Sequence, residues 1–161
     1  MFENEIVINE FHLGLLSRLA ADIPDSQLYQ PSVGHGHPPV WILGHLAICG
    51  ELGQKLLGGR VAHRHWFALF GPGSTDRIAE DASLTHRGLV SANIEAYAKF
   101  REMAALADAQ AMQAPHGVEF VRGSGIETLG QLISHLLTSH FAAHLAQLSS
   151  CRRAGGHQAL F

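Results

Sequence analysis

The chain has 161 residues, 47% of them hydrophobic and 16% charged, and a formal charge of −3. That balance excludes a disordered or fibrous chain and predicts a single domain over residues 1–161 with a substantial core. Lys and Arg are scattered along the sequence, so no basic stripe offers a track for nucleic-acid phosphates.

The opening "MFENEIVINEFHLGLLSRLA" has neither a basic n-region nor a small-residue cleavage site, and no apolar run approaches the roughly 20 residues of a membrane span. A soluble, cytoplasmic protein is the expectation. Helical periodicity begins at once, from Glu3 to Ala21, with Ile8, Phe11, Leu15, Leu16 and Leu19 on one face. The stretch "DIPDSQLYQPSVGHGHPP" that follows is rich in turn formers and reads as a loop.

A second helix is predicted from Pro38-Pro39, where a first-turn proline gives up an N–H that has no partner anyway, to Gly58-Gly59. Its core face is Ile42, His45, Leu46, Cys49, Leu52 and Leu56. The next stretch, "RVAHRHWFALFGPGSTDRIAEDA", is too long and too aromatic for a simple turn and predicts a crossover with a short helix from Trp66 to Phe70. Within it, "GPGS" has no Lys and follows no strand, so it reads as a turn rather than a phosphate loop.

A third helix spans roughly Thr85 to Ala107, with Leu89, Ala96, Tyr97, Phe100, Met103 and Ala104 at helical spacing. A fourth runs from about Ile126 to Ala154, with Leu129, Ile133, Leu136, Leu137, His140, His144, Leu148 and Cys151 in one stripe and Gly155-Gly156 closing it. No segment alternates as a half-buried strand would. Four amphipathic helices and one long crossover predict an all-α four-helix bundle.

Cys49 and Cys151 stand about a hundred positions apart in helical patterns and read as buried free thiols rather than a disulfide. Ser149 and Ser150 beside Cys151 have no acid–base partner that would make a nucleophile.

Twelve histidines make chance pairs common, and "HGH", "HRH" and "HLLTSH" all occur. The stripe selects among them. His140 and His144 stand one turn apart on an inward face, their Cβ atoms roughly 5–6 Å apart, a spacing at which two imidazoles can share one cation. Gln147 is nearly in line with them. His45 points inward from the second helix, so three imidazoles converge on one bundle core, where they need partners. Hydrogen bonds to backbone or water are the simplest such partners; a shared divalent ion with an open coordination position is the other. His135, five positions before His140, is rotated off the stripe and joins such a site only if the helix breaks. His12 shares its turn with Phe11, which is expected to be the inward residue of the two.

The segments "HPPVWILGHLA", "WFALFGPGS" and "HLLTSHFAAHLAQLSSCRRAGG" resemble the DinB-like (YfiT-like) four-helix-bundle superfamily over most of the chain. The resemblance implies a divalent metal on His45, His140 and His144; three imidazoles suit zinc, nickel, iron or copper, with zinc and nickel first. It also implies an activity such as metal-dependent transfer of a low-molecular-weight thiol to a small electrophile, or hydrolysis. The alternative is a non-catalytic metal-binding bundle for stress response or ligand binding. Members often carry His-x-Gly-Gln where this chain has His144-Leu145-Ala146-Gln147, which predicts tighter packing at Ala146. Homodimers are implied too, and Trp66, Phe67 and Phe70 supply apolar surface for pairing.

Overall fold

The computed structural model describes residues 1–32, 34, 36–75 and 77–160; His35 of the "HGH" pair lies outside them. The described residues form helices α1 (Glu3–Ala21), α2 (Pro39–Leu56), α3 (Trp66–Phe70), α4 (His86–Ala105), α5 (Leu129–Leu137) and α6 (Ser139–Ala154), with no strand among them. Both α1 and α2 pack on α4 and on the α5–α6 arm, so α1, α2, α4 and that arm make a four-membered bundle. None of these helices is long and apolar enough to cross a membrane.

Helix α2 is the central member. Pro38 caps it in an extended conformation, and every residue from Pro39 to Glu51 is buried, as expected of a helix that is apolar nearly all round. Its glycines set how closely neighbours approach. A Cβ on Gly53 would lie 2.3 Å from the Phe100 ring of α4, and one on Gly44 would lie 2.5 Å from the Phe70 ring of α3. Both rings are fully buried and have nowhere to retreat. Gly53→Ala is therefore expected to destabilise the fold by about 1–3 kcal/mol, the usual range for overpacking. The check is a lower urea midpoint with unchanged slope.

The crossover is pinned at its start. The buried carboxylate of Glu51 accepts from the His63 backbone N–H at 3.0 Å and from its Nδ1 at 2.6 Å. His63 then stacks on Trp66 at a centroid separation of 4.1 Å. Trp66 and Phe70 are buried by this arrangement, so they do not furnish the apolar pairing surface predicted for them.

Helix α1 keeps Leu16 and Leu19 of the expected face inside, with Leu15 partly buried, but its first half turns differently. Ile8 and Phe11 are exposed, Phe11 to 65%, whereas Asn9, Leu13, Leu16, Leu19 and Ala20 are buried. The polar Asn9 goes inside because both halves of its amide are satisfied there. Its Nδ2 donates to the Leu137 carbonyl at 2.8 Å, and its Oδ1 accepts from Arg101 at 3.0 Å.

The predicted fourth helix is two. A capping box of Thr128 and Gln131 starts α5, and Thr138, at φ −122° and ψ −87°, interrupts the helix before α6. Thr138 Oγ1 donates to the Ser134 carbonyl at 2.7 Å. The Leu137 carbonyl, set free by the interruption, is the one taken up by Asn9. Those substitute bonds offset what the broken ladder loses.

Candidate metal centre

His45 leaves α2 one residue after Gly44, and its ring is fixed on two sides. It stacks on Trp41, one turn earlier, at 4.6 Å and 8°; Trp41 in turn stacks on His37 at 4.0 Å and donates from Nε1 to Ser74 Oγ at 2.9 Å. The "GPGS" segment is thus a turn, closed by Ser74 N–H to the Gly71 carbonyl, whose last residue anchors the ring behind His45. His45 Nδ1 donates to the Phe70 carbonyl at 2.7 Å. A neutral imidazole that donates from Nδ1 carries its lone pair on Nε2. Gly44 is what lets Phe70 lie close enough to α2 for this bond.

The His45 Nε2 faces His140 Nε2 at 3.3 Å. His144 lies beside both, its ring centroid 4.6 Å from each of theirs, and its Nδ1 donates to Gln147 Oε1 at 2.7 Å, which fixes the tautomer with Nε2 as the acceptor nitrogen. The structure thus gathers the rings of His45, His140 and His144, although Phe141, Leu145 and Leu148 take the buried face of α6 and the two histidines stand half-buried at its flank. Orientation of a ligand imidazole by a hydrogen bond from its second nitrogen is the usual support of a metal site. Ala146 is exposed, so its methyl tightens nothing, contrary to the packing expected at that position.

Burial keeps His45 and His140 neutral. Burial pushes the His45 pKa below 6.5, with the Phe70 bond opposing and His37 adding to the fall. Burial, then His144, His45 and His135, hold His140 down to about 3. Near neutral pH both rings present lone pairs rather than protons.

Two further side chains enter beside the three histidines. Cys49, one turn after His45, brings Sγ to 3.5 Å from His45 Nε2; burial pushes its thiol up to about 12. Together His45, Cys49 and His140 offer three ligand atoms within 4.8 Å of one another. The spacing of Cys49 from His45 was a usable signal, read as core because cysteine is so often buried. His135 is also closer than a continuous helix allows. The break at Thr138 leaves its ring 5.4 Å from that of His140, half-buried, with Nδ1 on Ser139 Oγ at 2.8 Å. His12, not Phe11, is the more inward of that pair: it stacks on Phe141 at 5.9 Å, and its Nδ1 is buried without a partner.

The donor set fits a divalent cation. Two nitrogens bound tetrahedrally at about 2.05 Å are separated by about 3.3 Å, the spacing found between His45 and His140.

Residues 9–148 match the family described as the DinB superfamily. No curated protein and no solved structure matches the chain.

Proposed function

The chain belongs to the DinB superfamily, and from that membership and the histidine cluster we propose a metal-dependent enzyme that transfers a low-molecular-weight thiol to a small electrophile. The metal residues in this reading are His45, His140 and His144, and the ion is divalent, zinc or nickel by preference of imidazole donors. The observation that carries it is the convergence of three imidazole rings, of which His45 and His140 are held neutral chiefly by burial. A divalent ion supplies Lewis acidity that lowers the pKa of a thiol or water at an open position.

The chain's own part is preorganisation. The Phe70 carbonyl and Gln147 set the tautomers of His45 and His144, and Trp41 walls one side of the His45 ring. No carboxylate joins the cluster among the described residues. That same lack favours a second reading, a non-catalytic metal-binding bundle.

The test is to quantify bound metal and then assay glutathione, bacillithiol and mycothiol conjugation over a panel of electrophiles, comparing the protein with His45→Ala. Conjugation that needs the metal and falls at least 100-fold in His45→Ala is expected. Activity that survives loss of the metal would sink the enzyme reading; stoichiometric metal with no conjugation would leave the non-catalytic bundle. Pairing of two copies belongs to the same proposal and is read by sedimentation.

A further inference from the structure

Cys49 is buried and takes part in no disulfide. Its Sγ lies 3.5 Å from His45 Nε2, and the same Nε2 lies 3.3 Å from His140 Nε2. With Nδ1 committed to the Phe70 carbonyl, that nitrogen has a single lone pair. One lone pair cannot accept from a His140 N–H and a Cys49 S–H together. A cation at the point all three atoms face satisfies them at once.

The distances agree with this. A tetrahedral ion holding nitrogen at about 2.05 Å and sulfur at about 2.3 Å separates the two by about 3.6 Å, against the 3.5 Å found between Cys49 and His45. All three ligand atoms fall within 4.8 Å of one another.

We propose that Cys49 is a thiolate ligand of the metal centre, bonded through Sγ alongside His45 and His140. The proposal rests on the metal reading of that site. Binding forms a metal–sulfur bond, breaks the Cys49 S–H bond and releases the proton to solvent, while the metal keeps its oxidation state. The ring of His144 lies 4.6 Å from those of His45 and His140, and a fourth donor would come from there. A thiolate also shifts the preference from nickel toward zinc.

The chain has two cysteines, so one comparison assigns the sulfur. The protein, Cys49→Ser, Cys49→Ala and Cys151→Ala are loaded with cobalt(II), and the near-ultraviolet thiolate-to-cobalt band is recorded. The zinc protein is measured by X-ray absorption. The expected result is the band and a zinc–sulfur shell at about 2.3 Å in the protein and in Cys151→Ala, with the band lost from both Cys49 variants. Circular dichroism confirms that those variants fold. Cobalt bound without the band, or a band that persists in the Cys49 variants, overturns the sulfur ligand and leaves the histidine reading standing. A protein that binds neither cobalt nor zinc overturns the histidine reading, and the sulfur ligand with it.

Discussion

The metal-free protein is expected to lose about 2 kcal/mol of stability between pH 7 and pH 5 through His140 alone. In the folded chain its pKa is held to about 3, against 6.5 for the free side chain. The unfolded chain therefore takes up the proton first as pH falls through 6.5. The contribution is fully present above that pH and drains away downward until the folded pKa is reached. His45, His12 and His135 are displaced in the same direction, each with burial as the largest cause, so they steepen the loss. The window lies above the usual carboxylate range, which makes the histidines its main source. Urea unfolding at half-unit pH steps measures it, and a flat profile from pH 7 to pH 5 would show that the imidazoles are not held neutral.

His140→Leu is expected to do two opposite things. Loss of a ligand should weaken zinc binding by more than the roughly 10–100-fold that removal of a supporting partner costs. The wild-type protein should gain about 2.7 kcal/mol at zinc 100-fold above its Kd, and the variant almost nothing. Yet leucine is near histidine in volume and leaves no desolvated Nδ1, so the metal-free variant should be the more stable of the two at pH 5, with the slope from His140 gone. Such a trade is the mark of a side chain kept for function at the cost of stability. Equal zinc affinity in the two proteins would remove His140 from the site; unaltered acid stability would place its cost elsewhere.

Much of this was legible in the sequence, and the failures share a cause. Pro39 at the start of α2 and the aromatic run from Trp66 to Phe70 placed those helices correctly, because the signals are local. His45 follows the buried face of α2, whereas His140 and His144 flank the buried residues Phe141, Leu145 and Leu148 of α6 and reach His45 from that flank. The first half of α1 was misjudged because Ile8 and Phe11 outrank Asn9 and His12 in hydrophobicity, whereas the burial of Asn9 is decided by Leu137 and Arg101, distant in sequence. The break at Thr138 was invisible for the same reason. No proline or glycine marks it, the apolar stripe runs straight across it, and one of its compensating bonds comes from the first helix. His135 was misplaced as a consequence. Cys49 was read as core, since nothing short of the His45 and His140 geometry separates a packed thiol from a ligand.

The joint at Thr138 also bears on how this site tolerates change. In an unbroken helix one inserted residue turns every side chain beyond it by about 100°, so a slip anywhere upstream would swing the ligand pair out of the core. Here α5 ends on its own hydrogen bonds and α6 begins afresh at Ser139. The non-helical residue gives the chain a place to absorb such a rotation, insulating the register of His140 and His144 from insertions and deletions in the arm that precedes them.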